Sequence, residues 1–128
     1  MVKRIGRRRR TILIIDKDLG FLMYLGGILC QAGYQAWPAR NRREAQRLVQ
    51  ELRLNIDLVI APSGMQVKGL TDTLVHHGKP PKLIVTQESK RTSRSEALDG
   101  AVGVIRKPSP RDFLKQEDWV EAVRAVLK

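Results

Sequence analysis

Cysteine, histidine and aromatic residues are scarce in this chain of 128 residues, and each scarcity removes a class of function. The single cysteine, Cys30, rules out an internal disulfide, and no histidine or second cysteine stands near it at metal-ligand spacing. It reads as a reduced helix residue. The two histidines, His76 and His77, are adjacent, so they cannot share a helix face as an i, i+4 metal pair does, and no Ser/His/Asp arrangement is suggested by spacing. Gly64, Gly69 and Gly78 lack the following G-K-[ST] of a phosphate loop. The few aromatics are scattered, with Trp37 and Trp119 suited to core packing, so neither a base-stacking platform nor a recognition helix is visible. No apolar run approaches the ~20 residues a membrane span needs. The N-terminus is too basic and too poor in apolar residues for a secretory signal. The expectation is a soluble, cytoplasmic protein.

What is present is enough for one core: 42% hydrophobic residues at the usual size of one domain. The formal net charge is +11, but Lys3, Arg4, Arg7, Arg8, Arg9 and Arg10 supply six of those charges with no acid among them, leaving +5 for the rest. Residues 1–10 read as a disordered basic arm and 11–128 as the folded domain.

Short β-branched runs alternate with helical patterns. Ile12-Leu13-Ile14-Ile15 precedes Asp16-Lys17-Asp18, and Asp18 is a suitable N-cap for a helix over 19–32, closed by Gly33. Gly26 and Gly27 inside that helix cost about 1 kcal/mol each relative to alanine. They either permit close packing on the sheet or weaken the helix. Tyr34–Trp37 reads as a second strand. Asn41-Arg42-Arg43-Glu44 has capping-box spacing ahead of the apolar stripe Ala45, Leu48, Val49 and Leu52. Strand three is predicted at 57–61, a weak helix at 67–75, strand four at 82–86, a short helix at 91–98 and strand five at 101–105. Phe113, Val120, Val123 and Leu127 give the last helix its buried face. Such alternation implies a parallel α/β sheet with helices on both faces, and functional groups gather at the carboxyl ends of its strands.

At those ends stand Asp16, then Pro62-Ser63-Gly64-Met65 after Asp57-Leu58-Val59-Ile60-Ala61, then Thr86 after Leu83-Ile84-Val85, then Lys107-Pro108 after Val104-Ile105-Arg106. In order and spacing these resemble the receiver domain of bacterial two-component response regulators, from about Thr11 to Lys128. The resemblance implies a flavodoxin-like (βα)5 fold, a doubly wound five-stranded parallel sheet with strand order 2-1-3-4-5. It also implies a site in which two first-strand acids and a phosphoacceptor aspartate hold magnesium, a Thr or Ser contacts the phosphoryl group, and a lysine neutralises charge. Asp16, Thr86, Lys107 and Pro108 match that pattern. Lys17 falls on the second acid, Pro62 on the phosphoacceptor and Val104 on the switch aromatic. The chain therefore resembles a degenerate form, a pseudo-receiver, whose phosphorylation chemistry has been removed.

Phosphoryl transfer needs a positioned nucleophile and a cation to absorb charge. Proline supplies neither, nor even a backbone N–H. Ser63, one residue on, has no evident base. Asp16 alone is a poor magnesium site beside the ammonium of Lys17. No catalysis, no metal and no cofactor are therefore expected. Lys107 is read as the partner that neutralises a buried Asp16, and Thr86 as a strand residue. Lys107-Pro108 is a candidate cis peptide, as in receivers.

The leading reading is a phosphorylation-independent signalling module that works through protein contacts. Receivers signal and dimerise through the face of their fourth helix, fifth strand and fifth helix, which here implicates Arg91, Arg94, Val104 and Arg106. A basic face of that kind favours an acidic protein partner, with a homodimer as a further option. The rival readings are a nucleic-acid-associated regulator that binds without sequence preference through its arm, Lys3, Arg4, Arg7, Arg8, Arg9 and Arg10, helped by Arg40, Arg42, Arg43 and Arg47, and an anion-binding pocket at Lys17 and Lys107.

Overall fold

The run Thr11-Ile12-Leu13-Ile14-Ile15 is buried at every position, the mark of a strand covered on both faces, and it forms the inner strand β1 (Thr11–Ile15). In the computed structural model, which describes residues 9–62, 81–87, 103–106 and 116–127, β1 is followed by α1 (Leu19–Gln31), β2 (Gln35–Ala39), α2 (Arg42–Leu52), β3 (Leu58–Pro62), β4 (Lys82–Gln87), β5 (Gly103–Arg106) and α3 (Gln116–Val126). The five strands form one sheet in the order β2-β1-β3-β4-β5, and every pairing is parallel. The expected flavodoxin-like architecture and strand order are what the chain adopts.

Alternation along each strand sorts the side chains into two layers. Ile12 and Ile14, with Leu58, Ile60 and Ile84, pack under α1 and α3 against Phe21, Leu22, Leu25, Leu29, Trp119, Val123 and Leu127. Leu13 and Ile15, with Val59, Ala61, Leu83 and Val85, face α2 through Ala45, with Leu48 and Val49 at the margin. The first layer is closed by an edge-on contact of Phe21 with Trp119, ring centroids 5.7 Å apart. Lys82 Nζ donates to the Val126 carbonyl at 2.7 Å, fastening the start of β4 to the end of α3.

The helix boundaries follow from their caps. Asp18, extended, accepts the Phe21 N–H on Oδ1 at 3.2 Å. At the other end Gly33 sits at φ +102°, a value L side chains rarely adopt, while the Gly33 N–H reaches the Cys30 carbonyl and the Tyr34 N–H reaches that of Leu29. Those two bonds form a Schellman closure. Asn41 caps α2 by accepting the Glu44 N–H at 2.8 Å. The reciprocal half of the expected capping box is displaced by one residue, since Glu44 Oε1 accepts from the Arg40 N–H at 2.7 Å. A carboxylate at the N-terminus of a helix also complements its dipole.

Several expectations change. Strand two runs to Ala39, through Pro38, because β2 is an edge strand paired only with β1 and a proline there removes no ladder bond on its open side. The third strand begins at Leu58, and the side chain of Asp57 accepts the Thr11 N–H at 2.8 Å. In α3 the buried position belongs to Trp119, four residues before Val123 and eight before Leu127, so Val120 is only half-buried. Close packing on the described residues does not explain Gly26 and Gly27: a Cβ at either position would meet nothing within 4 Å among them. Trp37 is half-buried beside Leu48, Val49 and Leu54, and its buried indole N–H has no hydrogen-bond partner among the described residues. Phe113, the helices predicted at 67–75 and 91–98, the Lys107-Pro108 peptide and arm residues 1–8 lie outside the described residues.

Candidate functional site

The row of residues at the carboxyl ends of β1, β3 and β4 is set by register. Ile14 pairs with Ile60, and Pro62 pairs with Thr86, so Asp16, Pro62 and Thr86 stand level across three adjacent strands. Neighbouring strands lie about 4.8 Å apart. The sheet therefore brings together three of the five positions that the sequence singled out.

Asp16 is buried, 3% exposed, just beyond the last residue of β1. Its backbone N–H donates to the Ala39 carbonyl at 3.1 Å, and its Oδ1 accepts the Asp18 N–H at 2.8 Å. The turn Asp16-Lys17-Asp18 is thus self-bonded, and Asp18 in turn caps α1. Lys17 lies between the two acids with its side chain exposed. Pro62 ends β3, half-buried, and Thr86 is buried in β4 at 3% exposure. On the next strand Val104 pairs with Val85, and Arg106 with Gln87. Lys107, Ser63, Arg91 and Arg94 fall outside the described residues, as do Lys3, Arg4, Arg7 and Arg8. Arg9 and Arg10 are exposed at the opposite end of β1.

Magnesium takes several oxygen ligands in near-octahedral geometry. The described residues fit it poorly. Asp16 and Asp18 already accept backbone N–H groups, the intervening side chain is a lysine, and the end of β3 carries a proline where a third oxygen donor would be needed.

A second polar concavity lies away from this row. It is a groove of about 520 Å³ lined by Asn41, Arg43, Glu44, Gln46, Arg47 and Gln50. The sequence pointed to the arginines of this helix but not to the amides between them, which an i, i+3, i+4 count of polar residues would have found. Glu44 pairs with Arg40 at 3.5 Å and Glu51 with Arg47 at 3.3 Å. The Arg40 backbone N–H above all, with the charges of Arg40 and Arg47, holds the Glu44 carboxyl below its ordinary value, against a smaller opposing effect of desolvation. Across the molecule, burial pushes the Tyr24 phenol up.

Among the described residues no helix is long and apolar enough to cross a membrane. No protein-family model matches the chain, and no curated protein sequence does. Solved structures do. A response regulator of Thermotoga maritima superposes with a TM-score of 0.70 at 21% identity, covering 94% of this chain and 98% of its own. The chemotaxis protein CheY4 of Vibrio cholerae gives 0.74 at 21% identity over 94% and 100% of the two chains. An orphan response regulator of H. pylori gives 0.72 at 20% identity over 94% and 100%. The chain has the fold of receiver domains along nearly its whole length.

Proposed function

We propose that this protein is a phosphorylation-independent pseudo-receiver, a regulatory module that acts through protein contacts and catalyses no reaction. The observation that carries the reading is Pro62. It ends β3 in register with Thr86 and level with Asp16, the place where the resemblance puts the phosphoacceptor. A pyrrolidine ring has no nucleophile for an in-line displacement and no N–H to hold a phosphoryl oxygen. Lys17 replaces the second acid with a cation. Val104, on β5 beside Val85, replaces the switch aromatic. Three separate parts of the switch are altered, so reverting one of them would not restore it.

A module without a switch binds its partner constitutively. The face implicated by the resemblance contains Arg91, Arg94, Val104 and Arg106, and its basic character suits an acidic protein partner. Backbone amide spectra with and without magnesium and beryllofluoride, a mimic of an acyl phosphate, test the proposal. Asp16, Lys17, Ser63, Thr86 and Lys107 are expected not to shift. Saturable shifts at those residues would overturn it. Arg91→Glu and Arg94→Glu are expected to release partners recovered by pull-down with the wild-type chain, and retention of every partner would remove this face from the proposal.

A further inference from the structure

Five arginines lie between residues 40 and 53, against two glutamates. Arg43, Arg47 and Gln50 follow at i, i+4 and i+7 on one face of α2, all exposed, and Arg40 precedes them at the helix entrance. Arg53 ends the helix, exposed and in the left-handed region at φ 51°. The opposite face packs on the sheet through Ala45, Leu48 and Val49. Because α2 connects the carboxyl end of β2 to the amino end of β3, Arg53 emerges at the end of the sheet where Arg9 and Arg10 lead into β1. There Gln35 donates its N–H to the Arg10 carbonyl at 2.9 Å. The ridge of α2 thus runs from the carboxyl end of the sheet to the end at which the basic arm enters.

We infer that this ridge binds the phosphate backbone of duplex nucleic acid, without reading its sequence. The inference stands whether or not the phosphorylation switch is lost. The chemistry of the ridge decides the occupant. Its groove is lined by arginine, glutamine and asparagine side chains, the residue types that bond phosphate and sugar oxygens, with the carboxylate of Glu44 among them. A protein interface is organised around buried aromatic or aliphatic anchors. The ridge offers none: Trp37 is turned into the layer beneath α2, and Leu52 is the one large exposed apolar side chain on the helix. Lack of an exposed aromatic also removes the stacking platform that single strands require. Glu44 and Glu51 do not cancel the field. Their pairs with Arg40 and Arg47 are exposed and weak, so exchanging a carboxylate for a phosphate oxygen costs little. On α3, by contrast, Asp118 and Glu121 are exposed with Arg124, a face that duplex would avoid.

Eleven residues of α2 extend about 16 Å, or roughly five base-pair steps of ~3.4 Å. Few phosphates are within reach of the helix, so binding is modest, with a salt slope of only a few times about 0.9, and indifferent to sequence. The full-length chain should be titrated by fluorescence anisotropy against two unrelated short duplexes over a series of salt concentrations. Wild type is expected to bind both alike, with log K falling linearly in log salt. The double variant Arg43→Gln/Arg47→Gln, altering two exposed side chains, is expected to keep the wild-type melting temperature, to bind about ten-fold more weakly at low salt and to lose about 1.8 from the slope, about 0.9 for each phosphate contact. Arg124→Gln, which removes an equal charge elsewhere per residue, is expected to leave the slope within that of wild type. Absence of binding by wild type overturns the inference. So does an unchanged slope in the double variant, or an equal loss of slope in Arg124→Gln. Displacement of the duplex by single strands or by polyglutamate at equal charge would assign the ridge to another partner and overturn it too.

Discussion

Helices α1 and α2 lie on opposite faces of one sheet and share almost nothing in composition. α1 buries Phe21, Leu22, Leu25, Ile28 and Leu29 and contains no charged residue, so even its outer side, with Leu19 at 57% and Met23 at 71% exposure, is uncharged. α2 buries Ala45 alone and turns arginines outward. The difference separates two jobs. α1 holds the core, and its outer residues do little to recruit a charged ligand. α2 contributes little to the core, and its outer surface is charged. α2 with its two flanking arginines, residues 40–53, has five arginines against two glutamates, whereas α1 has no charge at all.

The largest test of that division compares truncations in the two helices. Leu25→Ala removes a fully buried side chain from the layer shared with Trp119 and Val123 and is expected to cost about 2–5 kcal/mol by thermal or denaturant unfolding. Leu48→Ala, half-buried at the margin of the other layer, is expected to cost roughly half as much, since part of its surface is already in water. Equal losses would mean that α2 supports the core as much as α1 and would break the contrast.

Smaller effects follow at the caps and glycines. Asn41→Ala deletes the acceptor of the Glu44 N–H and is expected to cost about 1 kcal/mol. Because α2 is the less deeply buried helix, the loss is expected to appear as local opening, read by faster amide exchange over residues 42–45. Gly27→Ala is expected to stabilise by somewhat less than about 1 kcal/mol, because the position is helical, exposed and open around a new Cβ. A destabilisation at Gly27 would show that something seats against the outer side of α1 and that the residue is glycine for contact.

Most of the sheet was legible in the sequence because β1, β3 and β4 are buried on both faces. Such strands read as unbroken β-branched runs, and Ile12–Ile15 and Leu58–Ala61 have no competing helical pattern. The ends of β1, β3 and β4, and with them Asp16, Pro62 and Thr86, followed directly. Boundaries set by tertiary pairing did not. Pro38 looks like a strand breaker until the edge position of β2 is known, and Asp57 looks like a strand residue although its carboxylate bonds Thr11, 46 positions away. The end of α2 carried no glycine signal, because Arg53 takes the left-handed conformation there itself, at about 1 kcal/mol or more. Register was equally hidden: the sequence names Pro62 and Thr86, but only pairing puts them side by side.

The smallest expected effect distinguishes the helices by pH. Glu44 is held ionised by the Arg40 N–H and by Arg40 and Arg47, so its folded-state pKa lies below its unfolded value. A depressed carboxyl pKa contributes stability that is fully present above the unfolded value, near ~4.3 for glutamate, and is lost as pH falls through the folded value. In Glu44→Gln the acceptor oxygen is kept and the titration removed. The stability difference between wild type and this variant is expected to be constant near neutrality and to shrink as pH falls below ~4.3. Its size is slight, because the pair lies at the surface where solvent screens it. The gain from Gly27→Ala is expected to stay constant over the same acid range, because α1 contains no carboxyl or imidazole side chain. Thermal midpoints of the two variants and wild type through the acid range measure both. A pH-dependent Gly27→Ala gain would mean that a titrating group outside α1 reaches its outer side, and the separation of a neutral core helix from a charged surface helix would then fail at the surface of α1.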